Sequence, residues 1–279
     1  FNKIELKKFL KENDFNYSKT IIFGKKHNLN KFQSKIILKP LRSSGSRDVF
    51  LIKKKTLSKI KQFNSKFIIQ NYIDGVEYAV DGAIFQKEIK KILISKKIKV
   101  KNVNTVSQTI MYKQNLLTKK NENLINNTIK EFLLKLNYKS GLFHIEIILN
   151  KNGVFIIDAA PRGPGFFVLE DYVSLVLKTD MVKKLIQLEK KEALYFNNEL
   201  SSPGLVHFFT TKKGIFKRFN KVKGLANCKF EKFIKNNTKT DSVKADKDRL
   251  GSITILSKNN SDLLKKFNEL KKKVKPIYL

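Results

Sequence analysis

Residues 141–165, GLFHIEIILNKNGVFIIDAAPRGPG, contain two apolar runs separated by a short polar break. The runs at 142–149 and 154–159 are rich in β-branched side chains, and the break at 151–153 ends in a glycine. This pattern predicts two antiparallel strands joined by a three-residue hairpin loop.

The pairing of these strands brings two acids together. Centring it on the break places Asn150 opposite Val154 and, further along, Glu146 opposite Asp158. Cβ atoms of such a pair lie roughly 4.5 to 5.5 Å apart, and facing acids repel unless a positive charge lies between them. Strand alternation adds Arg162 to the same side. Two carboxylates with room for water and phosphate suit Mg²⁺ better than Zn²⁺, so a magnesium–phosphate site is predicted. The alternative is an edge hairpin with solvated acids, because a one-residue slip separates the pair.

Length and composition limit the class of protein. The 279 residues suit one large or two modest domains with an ample core. No run of 18 apolar residues is present, so we expect no transmembrane helix and no membrane partner. A single cysteine, Cys228, is compatible with a reducing compartment, and we expect a cytoplasmic protein with a buried thiol.

The formal net charge of +34 raises the question of nucleic acid binding. The excess comes almost entirely from lysines spread along the whole chain, which behave as solvated point charges. No helix-turn-helix, zinc-finger or RNP-like pattern is present. We therefore expect no specific nucleic acid partner, although a basic nucleic-acid-associated protein stays open as an alternative.

A second motif spans residues 36–49, IILKPLRSSGSRDV. An apolar strand ends at Lys39, a loop of serines and one glycine follows, and a strand resumes at Val49. Such a loop offers backbone N–H groups and hydroxyls to phosphate oxygens. Taken alone, a serine–glycine run is more often an ordinary turn.

A third motif spans residues 67–82, FIIQNYIDGVEYAVDG. The strand turns at Asp74 and Gly75 and returns with Glu77 at its start. A strand edge of this kind can present a carbonyl and an N–H group to adenine, and a carboxylate can accept from ribose hydroxyls. The alternative is an ordinary hairpin with an exposed Glu77.

In their order and spacing, the three segments resemble the ATP-grasp superfamily, specifically its carboxylate–amine ligase and carbamoyl-phosphate-synthase-like branch, over about residues 1–190. The resemblance implies an α+β ATP-grasp fold in which two lobes clamp ATP within residues 1–200. The phosphate-loop lobe would cover about 20–75 and the metal-site lobe about 76–200. A smaller C-terminal α/β lobe would follow over 201–279 and contain a turn at 248–251. Relatives also carry an N-terminal domain before the first phosphate lysine, and we expect that domain to be absent from this chain.

The resemblance also implies roles for single residues. It assigns nucleotide binding to Lys3, Lys39, Gly45, Ser46, Gln70, Asn71, Tyr72, Ile73 and Glu77. In this set the lysines and the 45–46 loop contact phosphates, residues 70–73 form the adenine hinge, and the acid binds ribose. Glu146 and Asp158 correspond to the metal ligands. Lys39 and Arg162 are the implied catalytic residues, the arginine steadying the transferred phosphate or the carboxylate substrate.

Two positions depart from the family pattern. Gln70 stands where the hinge usually begins with glutamate, and its carbonyl can still accept from the adenine amine. Ala160 stands where many relatives have a metal-binding asparagine, so the number of metal ions stays open.

Residues 103–109 take the place of a substrate-covering loop. His144 would contact substrate or a metal-bound carboxylate, with a packed strand histidine as the alternative.

The implied function is ligation. A carboxylate attacks the γ-phosphate of ATP to give an acyl phosphate, and an amine displaces phosphate to form an amide. The cofactors would be ATP and Mg²⁺, with Mn²⁺ as an alternative metal, and the partners a small carboxylate and a small amine. A homodimer is left open. The other alternative is a nucleotide-binding ATP-grasp module without turnover.

Overall fold

A computed structural model describes residues 2–23, 32–59, 66–101, 103, 105–196, 199–220 and 228–279. The helices are α1 (Lys3–Glu12), α2 (Lys119–Lys135), α3 (Ser174–Val176), α4 (Met181–Glu189) and α5 (Asn260–Lys273). The strands are β1 (Thr20–Ile22), β2 (Lys35–Pro40), β3 (Phe50–Lys53), β4 (Phe67–Asn71), β5 (Val76–Phe85), β6 (Glu88–Lys99), β7 (Ser107–Tyr112), β8 (Gly141–Asn150), β9 (Gly153–Ala160), β10 (Gly204–Thr210), β11 (Gly214–Phe219), β12 (Cys228–Lys232), β13 (Thr238–Thr240), β14 (Arg249–Leu256) and β15 (Pro276–Tyr278).

The longer helices begin at polar residues that cap them. Asn2, Thr118 and Asn259 each accept a backbone N–H of the first turn of α1, α2 and α5. The sequence also predicts Asp180 as the cap of the helix that follows it, and the structure confirms this, because its side chain accepts from the N–H of Lys183 at 2.9 Å. A side-chain acceptor at this position satisfies a donor that the helix leaves unpaired, so the sequence marks these starts well.

The described strands form three antiparallel sheets. The four-stranded sheet has the order β1-β4-β2-β3, the eight-stranded sheet the order β12-β14-β10-β7-β6-β5-β8-β9, and the three-stranded sheet the order β13-β11-β15. Antiparallel sheets with separate packed helices make the chain α+β, as predicted. No described helix combines the length and apolar character needed to cross a bilayer.

The C-terminal segment is built into the large sheet. Strands β10, β12 and β14 extend that sheet, while β11, β13 and β15 form the small one. The predicted boundary near 201 therefore lies at the entry to β10, and the division into lobes stays a prediction. The turn predicted at 248–251 is wrong, because β14 already begins at Arg249. A Cβ atom added at Gly251 would overlap the carbonyl oxygen of Glu231, so this glycine serves close strand approach.

Two further predictions differ from the structure. Residues 107–109, predicted as part of a covering loop, belong to β7 inside the large sheet. This strand buries a polar residue, Thr109, whose hydroxyl bonds to Nδ1 of His207 at 2.8 Å, so its sequence lacks an apolar signature. The sequence of residues 57–63 also predicts a short helix. The structure instead has a 3₁₀ turn over Lys54–Lys59, and residues 60–65 lie outside the described part of the chain.

Helices cover both faces of the large sheet. On one face α2 packs through Ile129 and Phe132, and the rings of Phe9 and Phe15 lie edge-on to Phe132 at 5.7 and 5.8 Å. On the other face residues 168–181 pack against Leu142 and its neighbours. Side chains alternate along a strand, so Glu146 lies on this second face, beyond the end of its apolar cluster.

We expect Phe132→Ala to lower the free energy of unfolding by about 3 to 5 kcal/mol, because it leaves a cavity under two aromatic neighbours. Leu134→Ala on the same helix is the control, since that side chain is 42% exposed. The control should change stability by less than about 0.5 kcal/mol. Urea unfolding followed by circular dichroism measures both values, and equal losses would contradict the assigned core.

Candidate functional site

The β8–β9 hairpin sets the two predicted metal ligands. Asn150 pairs with Gly153, so the predicted three-residue loop with Asn150 opposite Val154 is wrong. A bulge next to Glu146 takes up the one-residue difference, and Glu146 then pairs with Asp158 as predicted. A bulge commonly re-aims a side chain beside a functional site. Without it, the two acids would point to opposite faces of the sheet.

Every predicted site residue lines one cavity of about 560 Å³. The cavity lies between the four-stranded sheet and the second face of the large sheet. It brings together Lys3, Lys39, Gly45, Ser46, Gln70, Asn71, Tyr72, Ile73, Glu77, Glu146, Asp158 and Arg162. The structure thus places the residues in one site, and their individual roles stay predictions.

Two lysines and the 43–47 loop form one end of the cavity. Nζ of Lys3 donates to the carbonyl oxygen of Ser43 at 3.0 Å. Lys39 lies on β2 and is 9% exposed. Burial lowers the pKa of Lys39 to about 8; Asp158 opposes the shift, and the positive charge of Lys3 adds to it. Lys39 is therefore a second buried cation at this end, and the negative charge of a bound phosphate would offset the free-energy cost of burying it.

The loop is docked across the cavity mouth. The hydroxyl of Ser46 donates to the carbonyl oxygen of Thr105 at 2.8 Å. The N–H of Asp246 donates to the carbonyl oxygen of Gly45 at 2.9 Å. The predicted phosphate loop thus contacts the C-terminal segment directly, which the sequence pattern did not indicate.

The predicted adenine hinge lies at the other end. The side-chain amide of Gln70 donates to the hydroxyl of Thr20 at 2.8 Å. That bond uses the amide nitrogen of Gln70, and its oxygen stays an acceptor. The N–H of Tyr72 donates to the carbonyl oxygen of Lys35 at 3.2 Å, so it serves the four-stranded sheet.

An ion-pair network on β5, β6 and β8 lies in the middle of the site. Nζ of Lys97 is 2.7 Å from Glu77 and also contacts Glu146, and its side chain is 8% exposed. Nζ of Lys99 is 2.7 Å from the same Glu77 oxygen. Burial alone would raise the pKa of Glu146, but Lys97 and His144 hold it well below its ordinary value. Sequence reasoning missed both lysines, because nothing distinguishes them within a lysine-rich chain.

His144 links this network to a buried acid. Its Nδ1 is 2.6 Å from Asp81, which is 1% exposed, and its Nε2 is 3.6 Å from Glu146. Burial lowers the pKa of His144, but Asp81 and Glu146 outweigh burial and raise it to about 10. The imidazole is therefore protonated at neutral pH. The structure thus places His144 beside Glu146, the predicted metal ligand, and the role of the histidine stays a prediction.

The donor set fits Mg²⁺ held together with phosphate. Among the described residues, no group of three or more His, Cys, Asp and Glu side chains is placed to hold a metal. Glu146 and Asp158 supply two facing carboxylates, and Ala160 supplies no side-chain donor. Mg²⁺ commonly binds one or two carboxylates and completes its shell with water and substrate phosphates. Arg162, whose Nη1 donates to the carbonyl oxygen of Gly163 at 2.7 Å, lines the same cavity.

Two residues of the C-terminal segment complete the phosphate-loop end. Nη2 of Arg249 is 3.0 Å from Asp246 and donates to the carbonyl oxygen of Ser107 at 3.2 Å. Burial lowers the pKa of Arg249 to about 10, and Asp246 opposes that shift, so the guanidinium stays charged at neutral pH. The sequence pattern placed Arg249 in a turn and gave it no role.

Comparisons with known proteins agree on one fold. Residues 54–169 match the family described as ATP-grasp domain. The L-amino acid ligase from Bacillus licheniformis is similar with a TM-score of 0.81 at 17% identity, over 100% of this chain and 72% of that one. The phosphoribosylglycinamide synthetase from Anaerococcus prevotii gives 0.73 at 14%, over 99% and 74%. The N5-carboxyaminoimidazole ribonucleotide synthetase from Thermotoga maritima gives 0.72 at 16%, over 100% and 72%. No curated protein sequence matches significantly. These findings confirm the predicted fold and the resemblance on which it was based.

We expect Lys97→Met to lower the free energy of unfolding by about 3 to 5 kcal/mol, since it leaves two buried carboxylates without their shared cation. Lys96→Met is the matched control, because the neighbouring side chain lies on the opposite face of β6. That variant should lose less than about 0.5 kcal/mol. Guanidinium unfolding measures both, and a Lys97→Met protein as stable as the control would show that the network carries little energy.

Proposed function

We propose that this chain, which contains an ATP-grasp domain, is an ATP-dependent carboxylate–amine ligase that acts through an acyl phosphate. One observation carries the proposal. The facing pair Glu146 and Asp158 shares a cavity with Lys39, Arg162 and the hinge segment. One structural neighbour is an L-amino acid ligase, which supports the same reaction class.

The lining residues of the cavity allow one placement of the nucleotide. We place adenine at the 70–73 segment, where the oxygen of Gln70 can accept from the adenine amine. Glu77 follows at the start of β5 and can accept from ribose hydroxyls. The phosphates then reach Lys3, Lys39 and the 43–47 loop, which lies across the mouth through Gly45 and Ser46.

The residues of this chain would act mainly by holding charge. Glu146 and Asp158 would hold Mg²⁺, which neutralises phosphate oxygens and orients the γ-phosphate when bound. Lys39 and Arg162 would lie against the charge that develops during phosphoryl transfer. Removing one such preorganised donor typically costs a few kcal/mol of transition-state stabilisation.

The reaction proceeds in two displacements. An oxygen of the acid attacks the γ-phosphorus, the bond to the bridging oxygen breaks, and ADP leaves with that electron pair. The amine nitrogen then attacks the acyl carbon, and inorganic phosphate leaves as the amide forms. The amine gives up one proton to water during this second step.

A module that binds nucleotide without turnover is the second candidate. The ion pair between Lys97 and Glu146 favours it, because an ammonium group already occupies one face of a proposed metal ligand. Ala160 also removes a donor that many relatives supply. Turnover therefore separates the two candidates.

We expect Asp158→Asn to reduce ADP release by at least about 100-fold, because a neutral amide holds Mg²⁺ and its phosphate poorly. The assay supplies ATP, Mg²⁺ and panels of carboxylic acids and amines, and hydroxylamine traps any acyl phosphate as a hydroxamate. Glu170→Gln, an exposed acid outside the cavity, is the control and should keep full activity.

The same panel distinguishes the alternatives. If wild-type protein binds an ATP analogue but no acid and amine pair releases ADP, the chain is a binding module. If it binds no nucleotide, and if its binding to nucleic acid depends steeply on salt and prefers one nucleic acid, the chain is the basic nucleic-acid-associated protein that the sequence left open.

The low pKa of Lys39 gives a pH dependence. Below pH 8 the side chain is charged, and above it the free protein becomes neutral while a bound phosphate favours the charged form. The association constant for a nonhydrolysable ATP analogue should therefore fall by up to about tenfold per pH unit above pH 8. Calorimetry between pH 7 and 10 measures this slope. Lys39→Met should bind weakly with a flatter slope, and Lys53→Met on the neighbouring strand should keep the wild-type slope; a steep slope in Lys39→Met would refute the assignment.

A further inference from the structure

A second cavity of about 420 Å³ lies next to the nucleotide cavity. The two cavities adjoin at three lining residues that they share, Phe166, Lys247 and Arg249, which form a shared wall. The remaining lining comes mostly from the C-terminal segment. No predicted site residue lines this second cavity.

The shared wall stands at the phosphate end of the nucleotide site. Arg249 is held by Asp246 at 3.0 Å, and the N–H of Asp246 bonds to Gly45 in the phosphate loop. The adenine hinge lies at the other end of the first cavity. A substrate that receives the γ-phosphate must lie beside the phosphate end, and the second cavity adjoins the first cavity there.

Arg249 gives this wall an anion-binding group. It is 5% exposed, and its guanidinium lies 3.6 Å from the ring centre of Phe208 and 4.8 Å from that of Phe166. Its Nε has no hydrogen-bond partner among the described residues. A buried guanidinium with an unused donor is suited to a carboxylate.

Other charges around the second cavity favour an acid over an amine. Lys239 and Lys247 also line it, together with Asp241 and Asp248. The Oδ2 atom of Asp248 already accepts from the N–H groups of residues 244 and 245 at 2.8 and 2.9 Å. With Arg249, three cations line the cavity against these two carboxylates.

An aromatic cluster forms the apolar side. The rings of Phe166 and Phe167 lie 5.6 and 6.1 Å from that of Phe233, and the first two side chains are 39% and 56% exposed. Their backbones have φ angles of 60° and 58°. Bulky residues rarely adopt this region, and such strain often accompanies a functional site.

We propose that the second cavity binds the carboxylic acid substrate, and that this acid carries an aromatic side chain. The carboxylate would lie at Arg249, beside the γ-phosphate, and the aromatic part would pack against Phe166 and Phe233. This assignment rests on the proposed ligase function. It makes Arg249 a substrate-binding residue and the aromatic cluster the basis of selection among acids.

The test uses a fluorescent reporter, because the chain contains no tryptophan. The variant F233W keeps an aromatic ring at the cavity rim and adds the protein's one indole. Titration with 3-phenylpropanoate, in the presence of Mg²⁺ and a nonhydrolysable ATP analogue, should give a saturable change in emission. Propanoate and the neutral 3-phenylpropanamide should each bind at least tenfold more weakly.

A second set of variants tests the arginine. R249Q in the F233W background should weaken 3-phenylpropanoate binding at least tenfold and leave binding of the amide unchanged. R218Q, an exposed arginine on β11 outside both cavities, is the matched control and should have no effect. If R249Q fails to fold, the comparison of acid with amide on F233W alone decides the question. The proposal is overturned if the indole emission does not change on titration (a silent indole), or if the acid and the amide bind with equal affinity.

Turnover of the wild-type chain separates this proposal from the ligase function. ADP release with small aliphatic acids together with a silent indole would reject the acid subsite and keep the ligase. A saturable response to 3-phenylpropanoate without ADP release from any acid and amine pair would reject the ligase and keep an acid-binding cavity. ADP release that follows the fluorescence affinities supports both.

Discussion

Compensation of buried charge is the constraint on which this site depends. Glu77 and Glu146 lie on neighbouring strands and face the same cavity, and an unpaired carboxylate in such a place costs several kcal/mol. The ammonium group of Lys97 contacts both acids, and His144 adds a second positive charge beside one of them. Each of the two acids therefore has a cation beside it. A Mg²⁺ ion at Glu146 would have to share that carboxylate with Lys97.

The hairpin shows how far the sequence could predict this arrangement. Apolar alternation gave two strands and the facing acids, both of which the structure contains. The loop length was wrong, because Asn150 accepts from the N–H of Asn152 and Gly153 takes a φ of 112°, which together close a tighter turn. The bulge that restores the pairing of Glu146 with Asp158 has no marker in an apolar run.

The other elements show the same contrast between features set by neighbouring residues and features set by contacts in the fold. Helices begin at caps such as Asp180, whose effect is local, and the sequence predicted them well. Strand β7 buries Thr109, whose partner His207 is distant in the sequence and becomes a neighbour only in the fold. Strand β14 buries Arg249, whose partner Asp246 is close in the sequence, but the sequence prediction placed this arginine in a turn. The residues of the three ordered motifs converge in one cavity as the resemblance implied. The lysines of β6 could not be singled out, since a chain with a charge of +34 offers many equivalent candidates.

The C-terminal segment joins parts of the molecule that the sequence treats as separate. Asp246 bonds through its N–H to Gly45 of the phosphate loop and through its side chain to Arg249. Arg249 in turn bonds to β7 through Ser107 and lies against Phe166, which follows the β8–β9 hairpin. Any movement of the 43–47 loop away from the C-terminal segment must break the bond to Asp246, and that residue also pairs with the guanidinium that lines both cavities. The position of the 43–47 loop and the shape of the neighbouring cavity are thus set by one short segment.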